Sequence, residues 1–186
     1  LNGCEYKDEQ IINSGYFQYK KNAVNQLLFS KEAVKNRILI TTQYSIETYF
    51  IEYVKKISPL LDHNWEIILK PHPVENTNTY AELSTLTNVK IMQGDLDCLI
   101  LNCEFVISIF STTIFDAVRL NKVAFSLYFP LFSDYVNGII ESGAAYLLLP
   151  EDNPVERFNN ATKKKKSNNF YSELDIETCR TMIFNT

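Results

Sequence analysis

Five short runs dominate the chain: RILITT (37–42), WEIILK (65–70), NVKIM (88–92), FVISIF (105–110) and VAFSL (123–127). Each is apolar nearly throughout, without the polar alternation of a half-solvated strand, so each must be covered on both faces. Between them the spacing turns helical. SIETYFIEYVKKISPLL (45–61) sets Ile46, Tyr49, Phe50, Tyr53 and Val54 on one face, and helices are predicted at TYAELSTL (79–86), DLDCLILN (95–102) and TTIFDAVRL (112–120). AAYLLL (144–149) reads as a sixth strand. Buried strands alternating with helices predict an α/β, Rossmann-like, doubly wound parallel sheet of five to six strands with right-handed crossovers.

Ligands of such sheets sit at the carboxyl ends of the strands, where helix starts also point. The segments of interest are therefore TTQYS, PHPVENT, QGD, STT and YFP.

A chain of 186 residues, 46% hydrophobic, suffices for one domain. The sheet-forming region is expected at 37–150, preceded by a flank at 1–36 and followed by a C-terminal loop and closing helix at 151–186, within which KKKKSNN (163–169) reads as a solvated run. A net charge of -4 supplies no broad cationic field, which disfavours nucleic acid as a partner. No run of about 20 apolar residues and no signal-like start is present, so a cytoplasmic protein is expected. Cysteines 4, 98, 103 and 179 have no zinc-site spacing and read as free thiols of a reducing compartment.

His72 is one of two histidines and lies between Pro71 and Pro73, which restrict its backbone to an extended form. An imidazole so confined can donate a charge-assisted bond to a phosphate at the sheet edge. It can equally be an incidental residue in a strand ended by prolines, and the motif alone does not separate the two readings. Lys70 precedes the clamp and ranks behind His72.

In FSTTIFDA (110–117), Ser111, Thr112 and Thr113 gather hydroxyls where the fourth strand gives way to a helix, a place suited to a phosphate. Asp116, one turn on, could accept from ribose hydroxyls. The competing reading is a helix cap, since Thr113-x-x-Asp116 fits the capping-box pattern. If the loops after the second and fourth strands are neighbours, a phosphate could lie between His72 and the STT turn. Base contacts are expected from Gln43 and from Gln93 in the 92–95 loop. Asp95-Leu96-Asp97 has metal-like spacing but reads as a helix start, and neither a metal nor a cofactor is expected.

KPHP (70–73) after one strand, followed by ISIFSTTIFDA (107–117), resembles the carboxyl-terminal half of GT-B glycosyltransferases that build bacterial surface polysaccharides. The resemblance is to the sialyltransferase and polysialyltransferase-like group with its HP and serine/threonine motifs, and to CDP-glycerol polymerases and capsule transferases. INSGYFQYKK (12–21) is similar to the segment that leads into the second domain of such chains, with Phe17 where a proline often stands.

The resemblance implies one half of a GT-B fold that binds a nucleotide-sugar donor of CMP, CDP or UDP type and serves a glycan acceptor, at the inner face of the membrane. It implies His72 at the donor phosphate, assisting departure of the nucleotide, with Ser111, Thr112 and Thr113 on phosphoryl oxygens and Asp116 at the ribose. The acidic motif that carries the general base in the amino-terminal domain of that group is not found here, so the base is expected in a separate domain. A UDP-N-acetylglucosamine 2-epimerase-like domain and a non-catalytic α/β binding module are the alternatives. A receiver domain is disfavoured, because TTQ after the first strand lacks the acidic cluster that binds Mg²⁺.

Overall fold

A computed structural model describes residues 34–163. Six parallel strands, β1 (Arg37–Thr41), β2 (Glu66–Lys70), β3 (Val89–Ile91), β4 (Phe105–Ser108), β5 (Val123–Leu127) and β6 (Tyr146–Leu148), form one sheet in the order β3-β2-β1-β4-β5-β6. The helices are α1 (Glu47–Ile57), α2 (Leu96–Asn102), α3 (Thr113–Arg119), α4 (Ser133–Glu141) and α5 (Pro154–Lys163), joined by 3-10 turns at Ser58–Leu60, Thr77–Thr85 and Pro130–Phe132. This is the expected α/β doubly wound architecture, and its strand order reverses between β1 and β4.

The apolar runs are buried on both sides, as their composition requires. Ile38, Ile40, Ile67, Leu69, Phe105, Ile107, Phe125 and Leu127 face one layer, with Phe50, Val54 and Ile57 of α1, Tyr80 and Leu83 of the 77–85 turn, and Phe158 of α5. Leu39, Ile68, Val106 and Ala124 face the other, with Ile100 of α2 and Ile114, Ala117 and Val118 of α3. The first layer is filled by rings: Phe158 stacks on Phe105 at 4.6 Å and meets Phe125 at 5.2 Å and Trp65 at 5.4 Å. In the second, Ala117 of α3 and Ala124 of β5 are small side chains among the buried residues.

Local signals set several boundaries. Asp95 caps α2, its side chain accepting from the Cys98 N–H at 2.9 Å, which bears out the capping reading of the Asp95-Leu96-Asp97 run. Asn36 and Asn121 adopt left-handed φ of 58° just before β1 and after α3, a conformation asparagine tolerates better than branched residues.

Two expectations are corrected, both on helix extent. The segment 79–86 is a 3-10 turn rather than a regular helix, and the helix expected over 45–61 ends as α1 at Ile57. Helix α4, with Gly138 inside and few apolar anchors, was not anticipated. Strands β2 and β4 are not adjacent, because β1 pairs with both and lies between them, so the loops that follow them flank the β1 loop on either side. Helix α5 falls in the stretch expected as loop and closing helix, and its Phe158 joins the core. The expectations for residues 1–33 and for SELDIETCRTMIF lie outside the described residues, as do Cys4, Cys179 and nearly all of the lysine run. Cys103 is buried and free, and burial raises its thiol pKa to about 12.

Candidate functional site

Six loops leave the carboxyl edge, and three of them meet at the strand-order reversal. The first follows β2. Pro71 is buried where the strand ends, and the chain turns through His72, Pro73 and Val74 to Glu75. The turn is closed from both ends: the Glu75 N–H donates to the His72 carbonyl at 2.9 Å, and the His72 N–H donates to Glu75 Oε2 at 2.8 Å. The same carboxylate oxygen accepts from the Tyr80 hydroxyl at 3.0 Å and from the Thr42 hydroxyl. Glu75 is 8% exposed. A buried carboxylate is tolerable only with such donors, and here they are also the groups that shape the loop. Burial, with Glu75 beside it, raises the Tyr80 phenol pKa, so the phenol stays a donor to Glu75.

The His72 ring itself is exposed. Its Nδ1 accepts from the Val74 N–H at 3.4 Å, which selects the tautomer with the proton on Nε2 and leaves that donor for a ligand. The prolines therefore do end the strand, and the loop also presents an oriented imidazole.

The second loop follows β4. The Ser111 hydroxyl accepts from the Thr113 N–H at 3.2 Å and lies 3.0 Å from the Thr113 hydroxyl. Thr112 occupies the cap position without a side-chain cap bond and is exposed. The capping box is thus not formed: Ser111 does the capping, and Asp116 turns to Arg119, with Oδ1 3.0 Å from Nη2. Arg119 also holds Asp97 at 2.6 Å, and its side chain is 2% exposed. Burial alone would lower the guanidinium pKa; the bonds to Asp97 and Asp116 outweigh it and raise it.

The β1 loop joins the other two. Thr42, besides donating to Glu75, lies 3.2 Å from the His72 N–H as a second acceptor. Gln43 reaches the other way, its Oε1 accepting from the Phe110 N–H at 3.1 Å immediately before Ser111. His72 and the STT turn are thus held in one frame through β1, although no direct contact joins them. Gln93 is exposed on the loop after β3, beside Gly94 at φ 156°.

Sequence reasoning did not find Thr42, Glu75 and Tyr80. Their signal, a lone acid three residues past a histidine, gains meaning only once Thr42, 33 positions earlier, is brought onto it. Among the described residues no helix is long and apolar enough to cross a membrane, and no cluster of three metal-binding side chains occurs.

No family model matches the sequence, and a search of curated proteins finds no relative. Solved structures do match. UDP-GlcNAc 2-epimerase of Methanocaldococcus jannaschii, in complex with UDP-GlcNAc and UDP, superposes at a TM-score of 0.62 with 14% identity, over 96% of this chain and 56% of that one. The wall teichoic acid polymerase TagF gives 0.59 with 12% identity, over 96% and 52%. The spinosyn rhamnosyltransferase SpnG, complexed with spinosyn aglycone, gives 0.50 with 20% identity, over 73% and 38%. The chain spans at most 56% of the length of these proteins. What it shares with them is their fold, the Rossmann-like parallel sheet of GT-B glycosyltransferases and of the epimerase.

Proposed function

We propose that the carboxyl edge between β2 and β4 binds the nucleotide of a nucleotide-sugar donor, and that the domain is the donor-binding half of a glycosyltransferase. The observation that carries this reading is the frame built by the β1 loop, in which Thr42 fixes the His72 turn and Gln43 fixes the Ser111 turn. Two polar turns at a strand-order reversal are locked in place while their outward groups stay accessible. Such preorganisation suits a polyanion whose charge grows as the nucleotide departs.

His72 donates Nε2–H to a phosphoryl oxygen and assists departure of the nucleotide. Ser111, Thr112 and Thr113 contribute hydroxyl and N–H donors to the same group. Asp116 keeps Oδ1 on Arg119 and offers Oδ2 to the ribose, while the Gln43 amide and Gln93 meet the base. The donor is of CMP, CDP or UDP type; the resemblance of the KPHP and STT motifs to the sialyltransferase and CDP-glycerol polymerase groups supports a cytidine-linked donor, sialic acid among the candidates, and a bacterial surface glycan as acceptor. The reaction would take place in the cytoplasm at the membrane's inner face. The general base would come from a second α/β domain that completes the cleft.

The 0.62 likeness to an epimerase solved with UDP-GlcNAc favours a second reading, a UDP-sugar-binding epimerase-like domain with the same phosphate contacts. Calorimetric titration with CMP, CDP and UDP, on the natural chain and on His72→Ala, separates these. Preference for a cytidine nucleotide supports the transferase and preference for UDP the epimerase-like domain. Weakening by about tenfold in His72→Ala supports the phosphate contact. A folded chain that binds none of the three nucleotides contradicts both.

A further inference from the structure

Thr41 and Lys70 are the last residues of β1 and β2 and stand opposite each other in the register. Strand alternation gives both the same face: Ile38, Ile40, Ile67 and Leu69 enter the first layer, Leu39 and Ile68 the second, so Thr41 and Lys70 continue on the side of α2 and α3. Lys70 is 9% exposed, and among the described residues its side chain makes no hydrogen bond or ion pair. The Thr41 hydroxyl beside it is 4% exposed and also has no partner there.

A hydroxyl in such burial is costly without a partner, and the ammonium that ends the neighbouring strand has no counter-ion among the described residues, so the pair marks a place where a ligand oxygen would be welcome. The carboxylates in the first turns of α2 and α3 on this face, Asp97 and Asp116, are both engaged by Arg119, and neither pairs with Lys70. Neighbouring strands lie about 4.8 Å apart, so β2 is roughly 10 Å from the strand that carries the Ser111 turn, a gap a phosphorylated ligand spans.

We propose that Lys70, with the Thr41 hydroxyl beside it, is an anion subsite that binds a phosphoryl oxygen of the ligand. Its assignment to a nucleotide rests on the function proposed above. The ammonium gives the point charge and the hydroxyl one donor, from the side of the phosphate opposite the STT turn. His72 approaches from the same loop that Lys70 opens.

The test is calorimetric titration of the full chain with UDP, CDP, CMP and inorganic pyrophosphate, at low and high salt, for the natural protein, Lys70→Met, Thr41→Val and His72→Ala. Lys70→Met keeps the stem and removes the charge. It should weaken the bound nucleotide about tenfold, flatten the salt dependence and leave the melting temperature equal or higher. Thr41→Val should weaken it about threefold. Unchanged affinity in Lys70→Met, with a loss in His72→Ala, overturns the subsite and leaves the nucleotide reading standing. Pyrophosphate binding that Lys70→Met abolishes, with no nucleotide bound, upholds the subsite and overturns the nucleotide reading. No binding of any of the four anions overturns both. Should Lys70→Met not fold, Thr41→Val decides, and unchanged affinity there overturns the proposal.

Discussion

At the amino end of the sheet Arg37 of β1 meets Glu66 of β2 at 2.5 Å, and Glu66 also takes Lys90 of β3. Glu104 accepts from the Asn36 N–H at 2.8 Å, and Lys122 donates to the Leu101 carbonyl at 2.7 Å. At the carboxyl end of the same strands, Thr41 and Lys70 keep no side-chain partner among the described residues, and Glu75 has one oxygen with three donors and another, buried, with none. One end answers its own charges and the other leaves some unanswered. Both ends belong to one sheet, and the ligand proposed above would supply the partner that the carboxyl end lacks.

The exception at that end is Glu75, and removing it tests the contrast hardest. Glu75→Ala strips the acceptor from the Thr42 and Tyr80 hydroxyls and the His72 N–H. A stability loss of about 3 kcal/mol is expected in urea unfolding, with nucleotide affinity falling at least tenfold. Glu75→Gln, which retains an acceptor, should recover part of both. A stability loss with affinity intact would mean that the network serves the fold alone.

The STT turn should behave differently. Thr112→Ala with Thr113→Val removes hydroxyls whose bonds inside the protein are few, so stability should change by no more than about 1 kcal/mol while nucleotide affinity falls about tenfold. If the double variant lost stability and kept affinity, the hydroxyls would be packing and capping groups only.

Glu66→Gln gives the smallest effect and is confined to the amino end. Burial alone would raise the Glu66 pKa, but the bonds from Lys90 and Arg37 outweigh it and the pKa is lowered. A carboxylate lowered on folding contributes stability that is present near neutral pH and fades as the pH drops through its folded pKa. The variant should therefore lose roughly 0.5 kcal/mol at pH 7, a difference that disappears in acid, with no change in nucleotide affinity. A change in affinity would erase the distinction between the two ends.

The strands were legible because burial on both faces leaves unbroken apolar runs, and β1, β2, β4 and β5 sit inside the runs that marked them. Helix α4 was not, since Val136 and Ile139 are its only buried residues and Asn137 and Gly138 interrupt the pattern. His72, Ser111, Thr112 and Thr113 stood out as residue types in strand-end positions. Their spatial relation did not, because the insertion of β1 between β2 and β4 is a property of strand order rather than of either loop. Glu75 and Thr42 escaped for the same reason; Lys70 was ranked behind His72 because it precedes the proline clamp, and the lack of a partner for its side chain among the described residues is visible only in three dimensions.

The central claim is that ligand binding belongs to the carboxyl end. Hydrogen–deuterium exchange read by mass spectrometry, with and without a saturating nucleotide, tests it most directly. Protection is expected in peptides covering 41–46, 70–76 and 109–114, with no change in those covering 34–38, 62–66 and 120–123. Protection confined to the amino-end peptides, or none at the three carboxyl-end loops while the nucleotide is bound, would contradict it.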